Sequence, residues 1–450
     1  MKSIKYSCLI ASLLFTNAVS AQWEVGVSKA NITPLESVPL AGYGGKTRMS
    51  QEVIHPIWLK AMAFRDRGGE TAVLITADLV GLSEKMVSVI AENAAKKYGI
   101  SRDHLILNTS HNHSCPVTED VLWLYYELNE EEAAAKDRYT NMVYQRYDEV
   151  IASAVKNMAP AELQFEQGLA GFGVNRRRSR GPETRSFGGQ VDQDVPVLAV
   201  RSKNQLKAVL FGYSCHTTAL GGLSISGDYA GFAQLELEKK HPEALAMFVQ
   251  NCGGDANPLP RIRGNEQEAV KLTEMYGKIL AESVNQVLAM PMRSLSGPVQ
   301  VSMDQTQLML SKGLSLEELK SGLDKREGME RREYEHQIHQ YETTGTTPDR
   351  VDYPIQVWRF GKDFMFIALT GETVVDYSLK FKEKYGWNTT WVFGYNNNLL
   401  SYVPSLRVLK EGGYEGTEGM LEYGHRAPYT DTVENLITDK VDELVRKLKP

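Results

Sequence analysis

Cysteine is scarce in this chain of 450 residues, which contains only four. One lies close to the N-terminus, and the other three are Cys115, Cys215 and Cys252. These three are an odd number, so at least one of them must be a free thiol. No disulfide framework can be read from them. We expect the three to be small residues packed near a common site, with a disulfide as the alternative.

The chain also lacks a strong excess of one charge and a long apolar run beyond its N-terminus. It has 50 basic and 56 acidic residues, a formal net charge of −6, and no basic stripe apart from the run at 175–180. This balance argues against nucleic acid as the main partner. No later segment is apolar for long enough to cross a bilayer, so only transient contact with a membrane surface is left open.

The first 21 residues have the pattern of a secretory signal peptide. Lys2 and Lys5 precede an apolar stretch, and Val19-Ser20-Ala21 is a small-residue cleavage site. We expect cleavage near Ala21 and export of the mature chain, either to a periplasm or to the medium.

No internal repeat and no Pro/Ser-rich linker divides the remaining sequence. We therefore expect 22–450 to form a single catalytic domain. The segment 311–345 is rich in Glu, Lys and Arg at helical spacing, which predicts a helical insertion on the outside. Its two histidines, His336 and His339, are expected on an exposed helix face.

Strand and helix patterns alternate through the first half of the chain. An apolar run at 71–82 precedes an amphipathic helix at 83–99 and a strand that begins near 104, which is the pattern of a βαβ unit. Further helices are predicted at 137–158, 266–288 and 430–450, and a hairpin with Gly361 in its turn at 353–372. The sequence thus predicts an α/β fold with a mixed, largely parallel central sheet flanked by helices.

Two of the nine histidines stand together in the stretch "LILNTSHNHSCP", residues 105–116. On an extended backbone, side chains at i and i+2 point to the same face. His111 and His113 could therefore converge on one point, although a polar loop that happens to contain two histidines fits equally well. His216 also follows an apolar strand, and functional groups gather at the carboxyl ends of strands in open α/β sheets. This coincidence favours a functional site.

A catalytic zinc ion needs three or four protein ligands and one open position. The candidates at strand ends are His111, His113, His216 and Glu372. Ser-Cys-Pro follows the histidine pair, where metallo-β-lactamase-like hydrolases have Asp-His, and the pair lies too late in the chain for an amidohydrolase barrel. Both families are therefore weak fits.

The chain resembles the catalytic domain of the neutral/alkaline ceramidase family over most of its mature length. The matching segments come in the family's order: "VSKANITP" (27–34), "GYGG" (42–45), "IHPIWLKAMAF" (54–64), "ITADLVGLS" (75–83), "TSHNHS" (109–114), "GVNRRRS" (173–179), "SCHTTAL" (214–220), "SGDYAGFA" (226–233), "NCGGDANP" (251–258), "TGE" (370–372) and "LSYVPSLRVLKEGGYEG" (400–416). No single segment is decisive, but so many in order are hard to obtain by chance.

The resemblance implies roles for six residues. The implied Zn²⁺ ligands are His111, His216, Glu372 and Tyr402, while His113 and Arg176 would flank the reacting carbonyl. His113 could move a proton, and Arg176 could hold a developing oxyanion or a substrate anion. Alternatives stay open for three of them. Tyr402 could only hydrogen-bond, and Glu372 and Arg176 could be surface residues.

Other polar residues near these segments have less specific expectations. His55 could line the cleft, although packing is favoured slightly. Asp78, Asp228 and Asp255 are expected to fix loops and orient histidines rather than bind metal. The Gly253-Gly254 pair is expected only to permit a tight turn.

The sequence also departs from the family pattern. Cys115-Pro116-Val117 replaces Gly-Pro-Gly after the histidine signature, and 249–252 lacks a serine expected before the Gly-Asp segment. A water-based mechanism gains weight from that absence. The family's C-terminal immunoglobulin-like domain is not expected in this chain, and no apolar lid for a sphingolipid tail is evident.

The leading hypothesis is an exported zinc-dependent amidohydrolase of lipid metabolism, which cleaves an N-acyl bond by attack of metal-activated water. Its substrate would be a lipid or another small N-acyl compound. One alternative is a zinc esterase or deacylase acting on acylated sugars or other small conjugates. Another is a non-catalytic binding protein on the same fold. The complete set of candidate ligands argues against it, because a binding protein has no need of them all.

Overall fold

The computed structural model describes residues 23–45, 47–178 and 189–448. The predicted signal peptide lies outside these residues. Among the described helices, none is long and apolar enough to span a membrane. The cores and the site discussed below all fall within the described ranges.

Nineteen strands occur in the described residues. In chain order they are β1 (Trp23–Asn31), β2 (Glu52–Val53), β3 (Trp58–Arg65), β4 (Thr71–Ala77), β5 (Leu105–Thr109), β6 (Ala159–Leu169), β7 (Gly173–Asn175), β8 (Asp194–Ser202), β9 (Gln205–Tyr213), β10 (Ser224–Ile225), β11 (Leu245–Gln250), β12 (Ala256–Pro258), β13 (Arg293–Leu295), β14 (Val299–Met309), β15 (Arg350–Phe360), β16 (Phe364–Thr370), β17 (Glu372–Thr373), β18 (Thr390–Asn396) and β19 (Tyr402–Val403).

Nine α-helices connect or flank them in the same part of the chain. They are α1 (Glu84–Tyr98), α2 (Glu130–Lys156), α3 (Asp228–Lys240), α4 (Glu266–Ala289), α5 (Leu316–Leu323), α6 (Gly328–Thr344), α7 (Val375–Tyr385), α8 (Leu406–Glu411) and α9 (Val433–Lys447).

Thirteen strands form one large mixed sheet, and helices flank it, so the predicted α/β class is confirmed. The strand order is β11-β9-β8-β6-β1-β3-β4-β5-β18-β16-β15-β14, and β13 also pairs with β6. The prediction that this sheet is largely parallel is wrong. Its parallel pairs in the described residues are β4 with β5, β9 with β11, and β16 with β18, and the other pairs are antiparallel.

Short connections explain why antiparallel pairs dominate. The predicted β4-α1-β5 unit is present and parallel, but β8 and β9 are joined by only Lys203 and Asn204. Both have positive φ, at 49° and 64°, as a two-residue hairpin turn requires. The predicted hairpin around Gly361 joins β15 to β16, which are also antiparallel.

Local capping signals fix several helix ends. Ser83 caps α1 by accepting a hydrogen bond from the backbone N–H of Met86, and Gly99 ends it at φ 68°, both as predicted. Helix α2 begins seven residues earlier than predicted, at Glu130, because Asn129 and Glu132 form a capping box. Helices α5 and α6 lie in the predicted insertion, between the paired strands β14 and β15.

The large sheet curls so that its two halves share one core. This core joins residues from both ends of the strand order, such as Met247 of β11 and Phe366 of β16. An isolated bridge between Asn251 and Phe393 brings the end of β11 against β18. Helices cover the outer faces and form separate cores there, with α1 and α2 over one part, α3 and α4 over another, and α7 and α9 over a third.

The carboxyl ends of β5, β11 and β18 meet at the buried side chain of Asn108. Its amide nitrogen donates to the carbonyl oxygen of Gly394 (2.9 Å) and to the Asn396 side chain (3.0 Å), and its oxygen accepts from the backbone N–H of Gln250 (2.9 Å). This junction places the segments that follow the three strands next to one another.

A buried ion network joins two further segments of the chain. Lys382 of α7 contacts Asp192 (2.6 Å) and Asp194 (2.9 Å), and Asp192 also accepts hydrogen bonds from Ser214 and Ser378. Burial by itself lowers the pKa of Lys382, but the two aspartates outweigh this and raise the pKa above its usual value. The network therefore ties the end of β9 to the helix that follows Glu372.

We expect Lys382→Met to destabilise the protein by about 3–5 kcal/mol, because it leaves the buried carboxylate of Asp192 and the partly buried carboxylate of Asp194 without their cation. Chemical denaturation measures this change. Lys447→Met is the matched control, since Lys447 is half exposed in its ion pairs and such pairs contribute at most about 1 kcal/mol. Equal stability of the two variants would contradict the prediction.

Candidate metal centre

His111 lies just beyond the carboxyl end of β5, with its backbone in the left-handed region at φ 55°. Its Nδ1 lies 2.8 Å from the carbonyl oxygen of Val80. A carbonyl oxygen only accepts, so Nδ1 carries the hydrogen and Nε2 presents a lone pair. The buried loop therefore fixes both the tautomer and the direction of this imidazole.

His111 and His113 converge as predicted, but not for the predicted reason. Their Nε2 atoms are 3.0 Å apart, yet β5 ends at Thr109 and the left-handed backbone of His111 is not extended. A turn in the chain, rather than the two-residue period of a strand, brings the two rings together.

His216 approaches from the segment that follows β9. Its Nδ1 lies 2.7 Å from the carbonyl oxygen of Gly253, so its Nε2 also presents a lone pair to the site. Burial, followed by the nearby charge of Arg176, lowers the pKa of His216 to about 4, although Glu372 opposes the shift. The imidazole is therefore neutral at neutral pH.

Glu372 opens the short strand β17, which pairs with β19 so that Glu372 stands opposite Tyr402. Its Oε2 lies 3.1 Å from Nε2 of His111 and 3.0 Å from Nε2 of His216. Burial raises the pKa of this carboxyl group, whereas charge and hydrogen bonding at the two imidazoles hold the pKa well below its usual value, a part that a bound cation takes when both Nε2 atoms are lone pairs. Glu372 is therefore a buried carboxylate.

These three residues form a buried group with the donor atoms of a metal site. Their ligand atoms all lie within 4.8 Å of one another. Two neutral nitrogen lone pairs and a carboxylate oxygen repel one another at 3 Å unless a cation lies between them. The donor set thus fits a metal ion, and carbonyl oxygens already orient both imidazoles from behind.

His113 stands beside this group and is partly exposed, unlike His111, His216 and Glu372. Its ring packs edge-on against Tyr43, with centroids 4.9 Å apart. Gly42 has φ 88°, and a Cβ there would lie 2.4 Å from Cγ of His113. Burial, followed by the nearby His111 and His216, lowers the pKa of His113 well below its usual value.

Arg176 and Tyr402 lie on the other side of His216. The Tyr402 hydroxyl is 3.4 Å from Nε2 of His216 and accepts a hydrogen bond from Nη2 of Arg176 at 3.0 Å. Nε of Arg176 donates to Glu415. Burial lowers the pKa of Arg176, but Tyr402 and Glu415 outweigh it, so the guanidinium stays charged.

Comparison with known proteins shows the family. The model of the N-terminal part of neutral/alkaline non-lysosomal ceramidases matches residues 23–306, which is more than half of the chain. This chain belongs to the neutral/alkaline ceramidase family. The membership supports a hydrolase, and the buried His-His-Glu group is a site that could bind a metal.

Solved structures show the same fold. Neutral ceramidase from Pseudomonas aeruginosa superposes with a TM-score of 0.73 at 17% identity, over 94% of this chain and 74% of that one. A ceramidase complexed with C2 gives a TM-score of 0.70 at 17% identity, over 94% of this chain and 76% of that one. None of the curated proteins compared matches the sequence.

The structure adds three residues to this ceramidase-family site that sequence reasoning did not assign. The Tyr423 hydroxyl donates to Oε1 of Glu372, and the Tyr395 hydroxyl lies 3.5 Å from its Oε2. Glu415 pairs with Arg176. The available signal was position in the chain, because Glu415 lies within a segment that resembles the family and Tyr395 lies at the carboxyl end of the apolar strand β18. Nothing local distinguishes Tyr423.

The other polar residues that the sequence analysis singled out hold loops in place near the site. His55 is buried against Phe232 and lies 3.1 Å from the Ser226 hydroxyl, so it packs as favoured. Asp78 accepts from the backbone N–H of Trp58, and Asp228 from that of Leu220. All three aspartates fix loops, but carbonyl oxygens rather than aspartates orient the two buried histidines.

Asp255 links the two sides of the site. Its carboxylate accepts from the Asn175 side chain (3.0 Å) and from the backbone N–H of Val375 (2.9 Å), which flank Arg176 and Glu372 in the chain. The role predicted for Gly253 was incomplete, because its carbonyl oxygen holds His216. The three cysteines, Cys115, Cys215 and Cys252, are buried free thiols near the site, as expected.

We expect Tyr423→Phe to weaken metal binding by about 10- to 100-fold, because it removes the hydrogen bond that orients Glu372 from behind. Competition with a chelating dye measures the metal affinity. Tyr429→Phe is a matched control, since its hydroxyl contacts Ser401 instead of the site. The same affinity for the Tyr423 variant and the natural protein would contradict the prediction.

Proposed function

We propose that this protein is an exported, zinc-dependent hydrolase that cleaves N-acyl amide bonds. One observation carries the proposal, namely the convergence of two lone-pair nitrogens and a carboxylate oxygen in a buried site. Nitrogen and oxygen donors in this number suit Zn²⁺ with a further position for water or substrate. Membership of a ceramidase family supports an acyl bond as the target.

His111, His216 and Glu372 would hold the ion, and Tyr402 would complete the set from beside His216. Zinc bound there would supply Lewis-acid activation of water and of a carbonyl group. Burial raises the pKa of Tyr402 well above its usual value, and the hydrogen bond from Arg176 directs its oxygen. Tyr402 would therefore offer the metal a hydroxyl oxygen whose position is fixed by Arg176.

His113 is proposed to move the proton. Its Nε2 faces the metal group next to Nε2 of His111, and its partial exposure leaves room for a substrate beside it. The lowered pKa keeps the imidazole neutral, so Nε2 can accept a proton from the attacking water and pass it to the leaving amine. Gly42 and Tyr43 hold the ring in place.

Arg176 is proposed to stabilise negative charge. Its guanidinium is permanently charged and buried, where the charge acts through a low dielectric. Glu415 and Tyr402 fix its orientation, so little rearrangement is needed when an oxyanion develops nearby.

The test combines metal analysis with a substrate panel on the purified mature protein. We expect one zinc per chain, loss of zinc in His111→Ala, and hydrolysis of N-acyl substrates ahead of matched acyl esters. The panel contains ceramide, N-acyl amino acids and acylated sugars. Faster ester cleavage would replace the amidase by a zinc esterase, and absence of metal after growth with zinc would refute the hydrolase mechanism.

Export is tested on the full chain. We expect mass spectrometry of protein recovered outside the cytoplasm to give Gln22 as the first residue. Recovery of the intact N-terminus in the cytoplasm would contradict export and leave the metal chemistry unaffected.

A further inference from the structure

The accessible side of the site extends from His113 away from the buried metal group. Tyr43 packs edge-on against the His113 ring, with centroids 4.9 Å apart, and its hydroxyl donates to the carbonyl oxygen of Leu220 at 3.2 Å. Both rings are partly exposed, and Gly221 is exposed next to Leu220 in the chain. Accessible surface therefore continues from His113 across Tyr43 to the loop that follows His216.

Two arginines lie against that loop. The Arg48 guanidinium lies over the Tyr43 ring, 4.7 Å from its centroid, and Nη2 of Arg48 donates to the carbonyl oxygen of Gly222 at 2.7 Å. Arg263 is exposed, and its Nη1 lies against Gly221, where a Cβ would be 2.3 Å away. Burial lowers the pKa of Arg48, and the charge of Arg263 lowers it too, so the two cations are close. Tyr43, Arg48, Gly221 and Arg263 form what we call the arginine strip.

Neither arginine of the strip has a carboxylate partner. In the part of the chain that the structure describes, no ion pair within 4.0 Å joins Arg48 or Arg263 to an acid. Glu266 also lies against the loop, at Gly222, but its Oε1 accepts from the Ser224 hydroxyl at 2.6 Å. Like charges held together without a counter-ion are unfavourable, and a bound anion relieves this.

The two arginines differ in how they can act on an anion. Nη1 of Arg48 is buried without a hydrogen-bond acceptor, and Nη2 is already bonded to the backbone, so Arg48 supplies positive charge rather than direct contact. Arg263 is exposed and can donate hydrogen bonds to an acid group directly.

The other charged groups near the loop offset one another. Asp228 is buried beneath it and accepts from the backbone N–H groups of Ala219 and Leu220. Burial raises the pKa of Asp228 to about 6, against the opposing effects of these hydrogen bonds and of the nearby charge of Arg261. Arg261 thus has a counter-charge in Asp228, and the excess positive charge lies on the accessible side, at Arg48 and Arg263.

The position of the strip indicates which part of a substrate would meet it. In the proposed reaction His113 passes its proton to the leaving amine, so the amine part of the substrate lies on the His113 side. The strip continues from that side. Because the Tyr43 ring lies between His113 and the arginines, a group that reaches them is several bonds from the amide nitrogen.

We propose that the arginine strip is a specificity subsite for an acid group on the leaving amine, separated from the scissile amide by a spacer. The preferred substrates are then N-acyl amines whose amine part ends in a carboxylate. Arg263 donates to that carboxylate, and the charge of Arg48 strengthens its attraction. The inference rests on the proposed function, since it places the leaving amine beside His113.

The test compares N-lauroyl-ε-aminocaproate with its primary amide, which has the same acyl chain and scissile bond but no charge. We expect the zinc-loaded mature protein to prefer the acid about tenfold in kcat/KM, mainly through KM, and Arg263→Gln to remove most of that preference. Arg263→Glu should favour the amide. N-lauroyl-glycine should show little preference over its own amide, because its carboxylate is too close to the nitrogen to reach the strip.

Arg350→Gln is the matched control, because Arg350 is an exposed arginine on β15 that pairs with Asp349, and it should keep the preference. Arg48→Lys retains the charge and should keep the preference within about threefold. Equal kcat/KM for the acid and its amide would overturn the inference. An equal preference for N-lauroyl-glycine would overturn the position of the subsite.

Failure of the proposed function has a different outcome, in which neither compound is cleaved. Calorimetry on the metal-free protein still tests the strip in that case. The acid should bind more tightly than its amide, and Arg263→Gln should remove the difference, whereas equal binding of the two compounds would overturn the subsite.

Discussion

Glu372→Gln is expected to abolish metal binding and hydrolysis together while the fold is retained. The variant removes the negative charge that faces His111 and His216, and with it most of the attraction for a divalent cation. The new amide N–H can donate to an imidazole lone pair, so the metal-free site is satisfied. We expect activity to fall by about 10³-fold or more, since the metal contributes several kcal/mol to the barrier.

Elemental analysis and thermal melting, run beside the activity assay, check this prediction. Glu333→Gln is the control, because Glu333 is another buried carboxyl group but lies on α6, and burial raises its pKa to about 7. That variant should keep its zinc and its activity. A full zinc content in Glu372→Gln would remove Glu372 from the ligand set.

His113→Ala is expected to keep the metal and lose most of the activity. His113 contacts His111 but lies outside the group of mutually close ligand atoms, so its removal leaves three ligands in place. Loss of a proton-transfer group lowers the rate by about 10²- to 10⁴-fold. The measurement is kcat on the best substrate of the panel, with zinc content determined on the same sample.

The control for this variant is His339→Ala, on the exposed face of α6, which should change neither quantity. The informative comparison is with His111→Ala, which should lose both metal and activity. If His113→Ala lost its zinc as completely as His111→Ala, His113 would be a ligand and another group would have to move the proton.

Local sequence was sufficient where the structure depends on neighbouring residues. Ser83 and Gly99 define the ends of α1 because capping involves atoms only a few residues apart. Gly361 marks the turn of a hairpin for the same reason. The parallel β4-α1-β5 unit was also predictable, since both strands and the helix are contiguous in the chain.

The direction of the other strands was not predictable from those signals. A two-residue turn at Lys203 and Asn204 forces β8 and β9 to be antiparallel, yet the strand pattern itself is the same for both directions. The curl of the sheet depends on pairings between segments far apart, such as Asn108 of β5 with Asn396 of β18. Such pairings leave no periodicity in the sequence.

The sequence by itself determined which side chains gather at the candidate site. His111, His216 and Glu372 each follow an apolar strand, although the curl of the sheet, and not a shared strand direction, brings these strand ends together. The tertiary structure alone decided how they are directed. The carbonyl oxygens of Val80 and Gly253 set the two tautomers, and Tyr423 reaches Glu372 from 51 residues away. Backbone carbonyls are common to every residue, so only the fold could show which ones hold a histidine.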